Sequence, residues 1–395
     1  MVELELSIMQ NSQDPAESVP ALADFEARHN VRVRTSMITA WPTAWADLVR
    51  MALYKQGADV SQVGSTWVSN FLAMRALRPF TPREAAEMGG ESALLPAAWQ
   101  SRSPSGEREI WSIPWLTDTR VLFYRRDLLE RAGVDEQSAF RSMDALEDTL
   151  RRLQASGVTS PWIVATGRNL ITVHNLASWI WGAGGDFVSA DGKRILFNQK
   201  EAPAGIRAYF ALYRYMPPGS LRREEFQAQA LIQQGQAAVT ISGPWEIPGF
   251  QRDPIARATV GAALVPGIPF VGGSNLVIWN HTRHPEAAVE LVRFLTSREA
   301  QIAYTARVDP LPTRLDALNA PRFADDPLYR VARDSLRVGR AFPAIPLWGL
   351  IEDGLTAACA WIWADLLANP DIDLDTVIRQ HLDPLARRLN LTLSG

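Results

Sequence analysis

At 395 residues, with 47% hydrophobic and 21% charged side chains, the chain is too long for one ordinary core and too apolar to be disordered, so it suits two lobes of ordinary domain size. A net charge of −3 gives no electrostatic argument for nucleic acid or a membrane surface. One cysteine, Cys359, excludes an intramolecular disulfide, and no run of eighteen apolar residues marks a transmembrane helix.

Val2, Leu4, Leu6 and Ile8 alternate with polar residues, Val19, Leu22 and Phe25 recur at helical spacing, and Val31, Val33, Thr35 and Met37 alternate again. This is a β-α-β opening. The first strand begins at once, without the basic and apolar regions of a signal peptide, which fits either a cytosolic protein or an exported one whose signal has been removed. Leu146, Leu150 and Leu153 predict a helix closing at Gly157, and Ala288, Leu291, Val292 and Leu295 predict another behind Pro285. Helices interleaved with short strands predict α/β layers with sheets covered on both faces. Near the C-terminus Cys359, Trp361 and Trp363 share an apolar helical run, where burial is expected for all three and a nucleophilic role for the thiol is not.

Motifs for catalysis or metal binding are weak. His29, His174, His281, His284 and His381 are scattered, and the His281/His284 pair sits in a polar loop before a helix. Gly182-Ala183-Gly184-Gly185 lacks the Lys-Ser/Thr of a phosphate loop and reads as a turn whose glycines permit close packing. Asp371, Asp373 and Asp375 imitate the start of a calcium loop, but Thr376 and Leu382 stand where Gly and Glu are needed, so they are read as polar residues around the start of a final helix. No specific pair of facing carboxylates points to a carbohydrate-active enzyme, and no cofactor or metal is expected.

The most informative segment is Ala238-Val239-Thr240-Ile241-Ser242-Gly243-Pro244-Trp245-Glu246. A β-branched strand stops at Ser-Gly-Pro because Pro244 removes a donor, and the expectation is that Gly243 supplies a backbone geometry forbidden to other residues. Trp245 is then presented at the strand's end, either as a core filler or as a platform for the apolar face of a ligand. The other ordered pieces are Gly57-Ala58-Asp59-Val60 before Trp67, Ile113-Pro114-Trp115 running on through Asp118 to Ala132-Gly133-Val134, Gly182 to Gly185, Phe270-Val271-Gly272-Gly273-Ser274-Asn275, and Leu311-Pro312-Thr313-Arg314. Taken in order and spacing, the set resembles the extracellular solute-binding proteins of carbohydrate ABC importers, the family that includes maltose-binding protein. The similarity covers nearly the whole chain.

The resemblance implies a two-lobed periplasmic-binding-protein fold of type II with a ligand cleft between lobes that close about a hinge. One lobe would take residues 1–115 plus 275–310 and the other 119–270 plus 313–395, with crossings near 116–118, 271–274 and 309–312. It implies a non-catalytic, monomeric receptor, periplasmic or extracellular, free or lipid-anchored, that hands a small carbohydrate or polyol to an ABC permease. Trp245 matches the family's sugar-stacking position and Trp348 a second aromatic platform, with core packing the alternative for both. Asp118 would accept sugar hydroxyls at the first crossing, or instead pair with Arg120 or cap the hinge. Ser65, Thr66 and Trp67 match a ligand-facing loop, although maltose-binding protein has charged residues where Thr66 and Trp67 stand, so its sugar preference does not carry over. Trp41 and Trp45 match a lid position or share one buried helix face. Gly273 and Ser274 lie at the second crossing, Gln10, Asn11 and Ser12 end the first strand, and His174 lies near a ligand-contacting position; turn chemistry or core burial is the alternative for these. An anionic solute such as glycerol phosphate would require an arginine, for which Arg168 and Arg307 are the candidates.

Overall fold

A computed structural model describes residues 1–9, 19, 22–38, 41–99, 109–307, 310–345 and 347–394. The chain divides into two compact units, Met1–Asp118 with Val271–Asp325 and Ala341–Gly349, and Thr119–Phe270 with Asp326–Arg340 and Leu350–Gly395.

In the first unit the alternating opening segment becomes β1 (Val2–Met9), the helix Leu22–His29 and β2 (Val31–Ile38), with β1 and β2 parallel from Val2 opposite Val31 to Met9 opposite Ile38. Val19 lies ahead of this helix rather than in it, yet it is buried in the same core. A second helix, Trp41–Tyr54, leads to β3 (Val60–Gly64), which pairs with the other edge of β1. β4 (Leu77–Arg78) and β5 (Ile113–Thr119) precede the excursion into the second unit. The sheet is completed by β10 (Val271–Trp279), antiparallel to β3, and by β11 (Leu311–Pro312) beside β5, giving the order β11-β5-β10-β3-β1-β2 with β4 also on β10. Both faces are covered, and β10 displays the period of two that this requires: Leu276 and Ile278 join a core with Leu4, Leu6, Phe25 and Trp115, while Val277 and Trp279 join another with Leu48, Val63 and Phe71. The helix Pro285–Leu295, with proline in its first turn, lays Ala288, Leu291, Val292 and Leu295 into the first of these cores.

The second unit is built on a four-stranded sheet of β6 (Val121–Arg125), β7 (Trp162–Ile163), β8 (Val239–Ser242) and β9 (Val260–Leu264), in the order β7-β8-β6-β9. β6 runs antiparallel to both its neighbours, and β7 is parallel to β8. The helix Met143–Ala155 is capped by Ser142, whose hydroxyl accepts the Ala145 amide at 3.1 Å, buries Leu146, Leu150 and Leu153, and is followed by Gly157 at φ +87°. The helix Ile171–Gly182 is buried almost throughout and packs on Ala202–Ala211, where a Cβ on Gly205 would come within 2.4 Å of the Trp179 carbonyl oxygen. Gly185 likewise lies against the backbone of Ala202, the close packing expected of that turn. Asp373 caps the final helix Leu374–Ser394 by accepting the Thr376 amide at 2.8 Å.

Three expectations need correction. The chain passes between units five times, not three: residues 313–325 and 341–349 group with the first unit. The Thr313 hydroxyl donates to the Pro114 carbonyl and the Leu315 amide to the Ala93 carbonyl, while Trp348 packs on Phe342 and the Ser69 hydroxyl donates to the Ile345 carbonyl. Second, Trp361 is 60% exposed whereas Trp363 is fully buried, because residues two apart on a helix face nearly opposite sides. Third, Gly243 has φ −114°, ordinary extended backbone, so the expected torsional reason for glycine does not hold. Cys359 is buried, and burial pushes its thiol up to about 12, an unreactive state. No described helix is long and apolar enough to cross a membrane.

Candidate functional site

β8 ends at Ser242, and Pro244 opens a single 3₁₀ turn, Pro244–Glu246. Gly243 is there for space: a Cβ would sit 2.0 Å from the Trp245 ring, so only glycine lets the indole fold back over the chain. Trp245 is half-buried and held from two sides. Its Nε1–H donates to Glu225 Oε1 at 3.1 Å, from the first turn of the helix Glu225–Gln233, and the guanidinium of Arg120 lies 4.8 Å from its ring centroid.

Arg120, at the junction of β5 and β6, is only 2% exposed, so its charge must be compensated. One terminal nitrogen donates to the Thr119 carbonyl at 3.1 Å and the other bonds His174 Nδ1 at 2.8 Å. A guanidinium offers only donors, so Nδ1 accepts and the ring proton resides on Nε2, which donates to Glu352 Oε1 at 2.9 Å. His174 thus bridges a buried arginine and a buried glutamate as a neutral imidazole, with its ring stacked on Phe270 at 4.2 Å. A second hydrogen-bonded set adjoins Trp245. The Ser242 hydroxyl lies 2.9 Å from Glu246 Oε1 and 3.2 Å from Glu225 Oε1. These groups border a small hollow, with room for about one water-sized group, that Asn175, Gln229 and Thr240 also line. Among the described residues no group of three or more His, Cys, Asp or Glu side chains could hold a metal ion.

The second unit therefore brings together Trp245 and His174 of the expected residues. Trp348 is fully buried in the first unit with its ring 4.3 Å from Phe342. Trp67 is 9% exposed and meets Trp45 edge-on at 5.6 Å, and Trp45 lies 5.3 Å from Phe71, so the pair contributes to the core around Trp279. Ser65, Thr66 and Asp118 are half-buried. Ser274 is buried and its hydroxyl accepts from Gln62 Nε2 at 2.8 Å. Gly273 has φ +128°, and a Cβ there would come within 2.2 Å of the Leu116 carbonyl oxygen, so its role in β10 includes close packing on β5. Gln10, Asn11, Ser12 and the side chain of Trp41 lie outside the described residues. Sequence reasoning missed Arg120, Glu225 and Glu246 around Trp245, and Phe270 and Glu352 around His174. Arg120 entered only as a partner for Asp118, and the three glutamates carry no local signal.

A probable ABC transporter-binding protein of Deinococcus radiodurans is 27% identical over 302 residues, 69% of this chain and 70% of that protein. The sugar-binding protein MalE of Xanthomonas citri superimposes with a TM-score of 0.82 at 21% identity, covering all of this chain and 98% of that one. An ABC transporter solute-binding protein of Thermotoga lettingae, bound with α-D-tagatose, gives a TM-score of 0.81 at 20% identity over the whole of both chains. The α/β fold is thus the two-lobed, type II periplasmic-binding-protein fold of these structures. Residues 11–302 match the sequence pattern of the bacterial extracellular solute-binding proteins, and on that match the chain belongs to this family.

Proposed function

We propose that the protein is the solute receptor of an ABC importer, and that it captures a small carbohydrate or polyol and hands it unchanged to a transmembrane permease. The observation that carries this reading is Trp245: a half-buried indole fixed by a carboxylate at its nitrogen and by a guanidinium 4.8 Å from its ring centroid. A rigid flat surface bordered by polar groups is what the apolar C–H face and hydroxyl edges of a sugar require. The names of the similar proteins support the reading, one a sugar-binding protein and one bound with tagatose.

An anionic solute such as glycerol phosphate fits less well. Hydrogen bonds and ring contacts connect Trp245 to one guanidinium, Arg120, and to the carboxyl groups of Glu225, Glu246 and Glu352. Arg168 is exposed and paired with Asp353 at 2.7 Å, and Arg307 is exposed on the first unit. On the first unit the proposal extends to Ser65, Thr66 and Asp118 as hydroxyl and carboxylate partners of a sugar. It includes a monomeric, non-catalytic protein working in the periplasm or outside the cell, free or lipid-anchored.

A thermal-shift screen tests it. Neutral sugars or polyols should stabilise the fold, and a ligand present at about 100 times its Kd should add roughly 2.7 kcal/mol. Stabilisation by phosphorylated compounds alone, or by no sugar or polyol at all, overturns the reading.

A further inference from the structure

Trp245 is held by a residue that is itself held. Its hydrogen bond and ring contact among the described residues are with Glu225 and Arg120, and it makes neither kind of contact with His174 or Glu352. The Arg120 guanidinium stands near two rings, 4.8 Å from the centroid of Trp245 and 5.2 Å from that of Phe270. Where a planar fork lies against a ring depends on the acceptors at its ends. One end of this fork meets the carbonyl of the neighbouring Thr119, and the other meets His174 Nδ1 at 2.8 Å, on the separate helix Ile171–Gly182. Nδ1 serves there only as an acceptor, yet a neutral imidazole can carry its proton on either nitrogen. Glu352 Oε1, 2.9 Å from Nε2, draws the proton to Nε2 and leaves Nδ1 bare for Arg120. Without that carboxyl group the pull is lost, and a proton on Nδ1 would turn a donor toward the guanidinium.

We propose that His174 and Glu352 are positioning residues for solute binding: Glu352 selects the tautomer of His174, His174 fixes the guanidinium of Arg120, and Arg120 fixes the angle of the Trp245 ring. The inference rests on the reading of Trp245 as the solute platform and adds two residues that act on it through a third. Buried charged groups contribute little net stability compared with apolar side chains of the same volume, so what this cluster contributes is orientation.

Two readouts test it. The first needs no solute: in protein labelled with fluorotryptophan, the fluorine resonance of Trp245, assigned by its loss in Trp245→Phe, reports the surroundings of this ring. Glu352→Leu removes the group that selects the tautomer, and His174→Phe removes the acceptor while keeping a ring on Phe270; each should shift or broaden the Trp245 resonance. His174→Asn, whose amide oxygen can stand in for Nδ1, should return the resonance toward the parent's position. The second readout is affinity for a sugar or polyol that stabilises the parent. The Leu and Phe variants should bind at least about tenfold more weakly, as expected for loss of a charge-assisted hydrogen bond, and His174→Asn should recover most of that loss. The double variant should bind no more weakly than the weaker single one, because both act on the same link. If burial keeps these variants from folding, Arg120→Lys, which keeps the charge but loses the two-ended grip, is read in their place. A folded disruptive variant with either readout unchanged overturns the inference, as do losses that add in the double variant or an Asn variant as weak as the Phe one. If no sugar or polyol binds the parent, the carbohydrate reading fails, and the fluorine resonance still decides whether His174 and Glu352 position the ring.

Discussion

The aromatic core of the first unit and the end of β8 in the second hold tryptophan in opposite ways. In the first unit Trp45, Trp67, Phe71 and Trp279 meet edge-on or tilted inside one apolar core, and Trp348 is sealed against Phe342. In the second, Trp245 is left half-buried and its contacts are charged: Glu225 at the indole nitrogen, and Arg120 near the ring. A tryptophan surrounded by carbon contributes through burial, and nothing further is needed to hold it. One fixed by groups that are themselves costly to bury is being held in position, which is what the proposed solute-binding role of the exposed part of the ring requires.

The largest expected effect tests the first half of that contrast. Trp348→Ala should cost about 3–5 kcal/mol of folding free energy through the cavity it leaves, read as a lowered urea midpoint. The folded fraction should bind as the parent does; a stable variant with weak binding would make Trp348 a ligand platform after all.

Next comes the charged side. Arg120→Met should cost about 3 kcal/mol, because it strands the buried Glu352 behind His174. Adding Glu352→Gln should recover part of that loss, so the double variant is more stable than the sum of the single effects implies. Strict additivity in the cycle would mean that the Arg120–His174–Glu352 chain carries no coupling.

The smallest effect is one on which the units should not differ. Arg78 holds the Glu84 carboxyl below the usual carboxylate range in the first unit, and Arg125 does the same for Asp127 in the second. A carboxyl whose folded pKa is lowered contributes stability above its unfolded value, near 4, and loses that contribution as pH falls through the folded value. Glu84→Gln should therefore lower stability by no more than about 1 kcal/mol at pH 7, with the difference from the parent shrinking below about pH 4 in urea titrations. A difference that does not change with pH would assign the loss to packing.

Much of this fold is legible in the sequence because it is local. The alternation from Val2 to Ile8, the helical spacing of Leu146, Leu150 and Leu153, and the stop at Ser242-Gly243-Pro244 each set a structure within a few residues of themselves. The environment of Trp245 is not legible in this way. Arg120, His174, Glu225, Phe270 and Glu352 come from five separated segments, and no spacing rule connects a residue at the start of β6 with one in the helix Trp348–Ala368. The same limit explains Trp361 and Trp348: an apolar context predicts burial for a helix as a whole, whereas the burial of each side chain follows from which face the packing takes. It explains Gly243 too, since the ring that needs its space is two residues away, but only once the indole has folded back.

The central claim is that Trp245 is held for a solute, and affinity and stability measured on one variant test it most directly. With a sugar or polyol that stabilises the parent protein, Trp245→Ala should bind about thirtyfold more weakly, roughly 2 kcal/mol, while its urea midpoint stays close to the parent's. A variant destabilised by about 3–5 kcal/mol that still binds with unchanged affinity would contradict the account and return Trp245 to the core.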